Sequence, residues 1–159
     1  MTDIITAWQA TFARRWHSNP FMADLVDNLG EHQGRTALLA LCLWPSAHAV
    51  HRAAIVHDLG EPYAAGDVSG EVKGRNPDLT AIINRLESDA MAAMGLPESP
   101  LEFGEARMLK LADALDAYLF VHHQRPHLLN GNGWPKQKAV MIEMAWSLGV
   151  GAQVEGMLK

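Results

Sequence analysis

Apolar residues recur at three- and four-residue intervals almost throughout this chain, the spacing that gathers them on one face of an α-helix. No stretch alternates with period two long enough to make a strand, so the pattern predicts an all-α bundle. Thr2 or Asp3 can cap a first helix that carries Ile4, Ile5, Trp8 and Phe12 and ends near Trp16, before Ser18-Asn19-Pro20. A second helix is expected from about Gly30 to Pro45. A third, capped by Ser46, carries Val50, Ala54 and Ile55 toward His57 and stops at Gly60. Gly66 to Pro77 reads as a polar loop. Asp78 then opens an amphipathic helix with Leu79, Ile82, Ile83, Leu86 and Met94 on one face and Gly95 as its stop. Leu101 to Gln124 spaces Met108, Leu111, Ala112, Leu115 and Leu119 as a core face, and Arg125-Pro126 ends it. Leu129 to Trp134 reads as a loop, and Pro135 fits the first turn of one last long helix through Leu148.

Length adds that 159 residues make one domain, 1–159, large enough to bury a core without staples. A hydrophobic content of 48% with 19% charged residues excludes a disordered or fibrous chain. Thirteen Lys and Arg against eighteen Asp and Glu give a net charge of -5, which argues against duplex nucleic acid as partner. A small anionic substrate remains compatible, because local charge governs that case. The single Cys42 cannot form an internal disulfide, and the longest apolar run, Ala37 to Trp44, is too short to span a membrane. A reducing, cytoplasmic setting is the expectation, and the excess of apolar helix faces permits a homo-oligomer.

The sharpest chemical signal is His57-Asp58 at the end of an apolar helix, with His32 upstream and Asp113 downstream on other predicted helices. Neutral imidazoles and ionised carboxylates suit a borderline divalent metal. Neighbouring residues on a regular helix point about 100° apart, so His57 and Asp58 share one ion only over the helix end. Any single His or Asp of this kind is more often a hydrogen-bonded structural residue. Asp113 stands out because its neighbours, Leu109 to Leu115, are largely apolar, and a carboxylate buried there needs a cationic partner. His122, His123 and His127 read as a solvated helix end, His48 and His51 as surface residues, and the methionines as packing.

Four blocks in order then resemble a known family. Arg14-Arg15-Trp16 before Glu31-His32, His57-Asp58-Leu59-Gly60-Glu61, Gly66-Asp67 leading to Lys73, and Lys110 through Tyr118 are similar to the HD-domain metal-dependent phosphohydrolases. Within that family they resemble the bacterial 5'-deoxynucleotidases and small phage HD proteins that include dATP triphosphohydrolases. The resemblance covers roughly residues 14 to 120. It implies one divalent metal ion (Zn, Co, Mn, Ni or Fe) held by His32, His57, Asp58 and Asp113, with Glu61 handling the attacking water. It further implies that Arg15 contacts phosphate, that Trp16 packs on deoxyribose or base, and that Asp67 and Lys73 belong to a loop closing over the nucleotide. Ser69 and Glu71 stand where the related loop carries prolines, and one extra residue separates His57 from Asp67, so the base preference is left open. Hydrolysis of a deoxynucleoside monophosphate is the favoured expectation. A deoxynucleoside triphosphohydrolase and a non-catalytic nucleotide-binding module are the alternatives.

Overall fold

The computed structural model describes residues 2–66, 68, 70–96 and 100–159. Its α-helices are α1 (Ile4–Ala10), α2 (Leu29–Leu43), α3 (His48–Val56), α4 (Gly70–Arg75), α5 (Pro77–Ala93), α6 (Phe103–Gln124), α7 (Trp134–Ser147) and α8 (Gly151–Met157). Short 3-10 turns form at Glu61–Tyr63 and Pro126–Asn130. No strand forms among the described residues; Arg14 and Asn28 make an isolated antiparallel bridge. The all-α class follows the apolar periodicity, and no helix among the described residues is long and apolar enough to cross a membrane.

Local chemistry explains three of the helix starts. Asp3 accepts from the Thr6 amide at 3.0 Å and the Thr6 hydroxyl at 2.6 Å, which caps α1. Asn28 does the same for α2, accepting from the Glu31 amide at 2.9 Å. α6 opens with a reciprocal capping box between Glu102 and Glu105. Several expected boundaries move. α1 ends at Ala10 rather than near Trp16, and α3 begins at His48, beyond Ser46. α4 lies inside the stretch read as a loop, and α5 already starts at Pro77. The expected last helix through Leu148 is α7, and a further helix, α8, follows it because Gly149 adopts φ +78 and turns the chain between the two.

The chain divides into two compact units, Met1–Gln33 with Val56–Ser99, and Gly34–Ile55 with Pro100–Lys159. In the first, Ala7, Ala10, Leu29, Leu59, Met91 and Met94 form the core, with Ala13, Val56 and Leu96 packed against them. The large apolar residues of the first segment are not in it: Ile4, Ile5, Trp8 and Phe12 are exposed, while the small Ala7 and Ala10 face inward. On α5 the buried positions are Ile83 and Met91, and Leu79, Ile82 and Leu86 are exposed. Gly60 sits so close to the α5 backbone that a Cβ there would overlap the Glu87 carbonyl oxygen, which seats the turn after α3 against that helix.

In the second unit, Leu111, Leu115, Tyr118, Met141, Ala145, Val150, Val154 and Leu158 form the core. A smaller cluster joins Ala40, Val50 and Ala112. The fully buried carboxylate of α6 is Asp116, paired with Arg35 through Nε–Oδ1 at 2.6 Å and Nη2–Oδ2 at 3.2 Å. The Arg35 guanidinium also lies 5.1 Å from the centre of the Phe120 ring. Asp113, expected to be buried, is half-buried on the same helix.

Candidate functional site

The first unit gathers most of the residues singled out by their chemistry. α3 ends at Val56, so His57 and Asp58 lie in a turn and are free of the helical rotation that would separate them. The turn is closed by the Leu59 amide on the Val56 carbonyl at 3.1 Å and the Glu61 amide on the Asp58 carbonyl at 3.0 Å. His32 approaches from the first turns of α2, where it is completely buried. Its Nε2 lies 3.3 Å from Asp58 Oδ2, and His57 Nε2 lies 3.2 Å from the same oxygen. The two imidazole rings are tilted by 54°, with centres 5.3 Å apart.

Burial acts to raise the Asp58 carboxyl; the charge on His57, the hydrogen bond and charge of His32, and the Arg15 guanidinium outweigh it and hold the group down at about 2. The turn therefore presents an ionised carboxylate beside two imidazole nitrogens, with the three ligand atoms within 4.8 Å of one another. Two nitrogens and a hard oxygen at that separation are a donor set that fits a first-row divalent ion. Asp113 belongs to the other unit, on α6.

Next to this turn is a cavity of about 310 Å³ lined by Ala13, Arg14, Arg15, His17, Leu29, Glu61, Pro62 and Gly66. Arg15 and Glu61 thus line the same space. Lys73, on α4, reaches Glu61 Oε1 at 3.8 Å and Glu87 Oε1 at 3.3 Å. Trp16 is half-buried and adopts φ +65, and its indole N–H donates to Asp27 Oδ2 at 3.0 Å. Asp67 lies outside the described residues. His17 lines the cavity, with Nδ1 3.0 Å from the Arg14 carbonyl oxygen; since that oxygen only accepts, Nδ1 carries the proton.

Two carboxylates escaped the sequence reading. Asp27 is 1% exposed and Glu87 holds Lys73 from α5. Asp27 stands just before a helix, where an Asp reads as a capping residue, and Glu87 follows Leu86 on α5 like a surface residue. Neither position carries a local signal. Among the described residues His122, His123 and His127 join no converging ligand group, and His51 Nε2 lies 2.9 Å from the Trp44 carbonyl oxygen. No protein-family model, curated protein or solved structure matches the chain.

Proposed function

We propose that the chain is a metal-dependent phosphohydrolase acting on 2'-deoxynucleotides, releasing phosphate from a 5'-monophosphate. The observation that carries this reading is the convergence of His32 Nε2 and His57 Nε2 on Asp58 Oδ2, beside a cavity that Arg14, Arg15 and Glu61 line. The order of motifs from Arg14 to Tyr118 supports it independently and supplies Asp113 as the fourth ligand.

A divalent ion held by His32, His57, Asp58 and Asp113 would polarise a phosphoryl oxygen and lower the pKa of a bound water to roughly 7. The remaining steps fall to side chains. Arg15 offers its guanidinium to phosphate oxygens, fork to fork, and so both orients the group and offsets its charge. Glu61 accepts the proton of the attacking water. Lys73 exchanges part of its contact with Glu61 and Glu87 for the anionic substrate, and Trp16 offers an aromatic face to sugar or base.

The test is turnover by the purified protein on ribo- and deoxynucleoside mono-, di- and triphosphates with Mn, Co or Zn, with products separated by chromatography. Free phosphate from deoxynucleoside monophosphates is the expected result. Tripolyphosphate released from dATP would move the assignment to a triphosphohydrolase, and pyrophosphate with dAMP to cleavage between the α and β phosphates. Tight nucleotide binding with no product under any metal would overturn catalysis in favour of a binding module.

A further inference from the structure

Arg15 and Trp16 follow each other in a segment outside any helix, where nothing in the local backbone pattern would hold two long side chains in place. Both end on the same atom: Trp16 Nε1 is 3.0 Å from Asp27 Oδ2, and Arg15 Nη1 is 3.5 Å from it. The Asp27 side chain is completely buried, whereas that of Arg15 is 16% exposed, so the carboxylate is the fixed end of the arrangement. The main chain reinforces it, with the Arg15 amide on the Asp27 carbonyl at 3.1 Å and the Arg14–Asn28 bridge alongside. Trp16 occupies the left-handed region at φ +65, a conformation a bulky side chain adopts only where its surroundings impose it. The Arg15 guanidinium in turn lies 5.4 Å from the Trp16 ring centre, within cation–π range.

We propose that Asp27 is a positioning residue that sets Arg15 and Trp16 through one buried carboxylate oxygen, Arg15 toward the cavity it shares with Glu61 and Trp16 in its strained backbone conformation. Its consequence for turnover rests on the phosphohydrolase reading above; the positioning itself does not. A guanidinium has five N–H donors in a rigid plane, so pinning one edge on Asp27 orients the others and lowers the ordering needed when phosphate arrives. Asp27 touches no substrate in this scheme and acts only through its two neighbours.

The test combines two readouts on the metal-loaded protein. In a ¹H–¹⁵N spectrum the Trp16 indole signal, identified by its loss in Trp16→Phe, should be slow to exchange with solvent in the wild type. It should shift and exchange faster in Asp27→Ala and stay protected in Asp27→Asn, whose amide oxygen still accepts. In kinetics with a deoxynucleoside monophosphate, Arg15→Ala and Asp27→Ala should each lower kcat/KM by about 10- to 100-fold, mainly through KM. The double variant should fall clearly short of the product of the two single losses, because the part of the Asp27 effect that runs through Arg15 is already gone in Arg15→Ala. Full additivity of the two substitutions, or an unchanged indole signal in Asp27→Ala, would overturn the proposal. If Asp27→Ala does not fold, Asp27→Asn decides: it should lose kcat/KM at an intact melting temperature and be non-additive with Arg15→Ala, and wild-type kinetics would overturn the role. A wild-type protein inert toward every nucleotide would overturn the phosphohydrolase reading while the indole signal still decides the positioning.

Discussion

Glu61 is one turn beyond His57 in the chain, lines the cavity with Arg15, and is approached by Lys73. As the proposed acceptor of the water proton it should be replaceable in shape but not in chemistry. Glu61→Gln is expected to keep the bound metal, measured by elemental analysis, and to lose about 10²- to 10⁴-fold in kcat. Unchanged kcat would hand the proton to another group. Trp16 makes a separate case. If its ring packs on sugar or base, Trp16→Ala should alter the ranking of kcat/KM among dAMP, dGMP, AMP and dATP. If its role is only to fill space and donate to Asp27, the variant should melt lower and rank its substrates as the wild type does. Sequence spacing could supply the residue type at both positions. It could not supply the bond from Trp16 to a carboxylate eleven positions away.

Among the elements, the junction between α7 and α8 shows how one residue redirects a helix. The apolar spacing through Leu148 is that of α7; beyond it Gly149 at φ +78 lets the chain turn so that Val150 and Val154 join Met141 and Ala145 in one core. A side chain at Gly149 meets no neighbour within 4 Å, so its cost is that of the left-handed conformation alone. Gly149→Ala is therefore expected to destabilise the protein by about 1–2 kcal/mol, read by denaturant unfolding. An unchanged midpoint would mean that the turn does not depend on glycine. α1 is the complementary case: its helix start follows from the sequence and Asp3 is the cap of the two candidates, yet its bulky residues are exposed while Ala7 and Ala10 are buried in the core.

For the molecule as a whole, the proposed metal would tie ligand binding to folding through His32 on α2 and His57 and Asp58 in the turn after α3. Chelation should lower the melting temperature, since a ligand bound only to the native state contributes about 2.7 kcal/mol at one hundred times its Kd. Asp58→Ala and Asp113→Ala should each lose metal and activity together, and full occupancy in both variants would remove the site. Acid unfolding of the metal-free protein checks the electrostatics of the same turn. Asp58 is held at about 2 in the fold against an ordinary 3.8, so its contribution to stability is fully present above the higher value and disappears as pH falls through the lower. Asp58→Asn should flatten the dependence of stability on pH between about 4 and 2. A wild-type slope in that variant would mean that other carboxylates govern acid unfolding.

The amino-acid sequence alone determined the helical class, because a 3.6-residue apolar period is a local property written along the chain. It also placed His32, His57, Asp58 and Asp113 as candidate ligands, since residue type and order are visible without coordinates. Tertiary structure decided the rest through pairs that no local pattern encodes. Arg35 finds Asp116 across 81 positions, and burial falls on Asp116 rather than on Asp113, three residues earlier on the same helix. Lys73 finds Glu87 fourteen positions on, and Asp27 becomes the buried anchor of Arg15 and Trp16. The reason is common to all of them: a charged side chain is stable inside a fold only where a partner arrives, and the arrival of that partner is set by how distant segments pack.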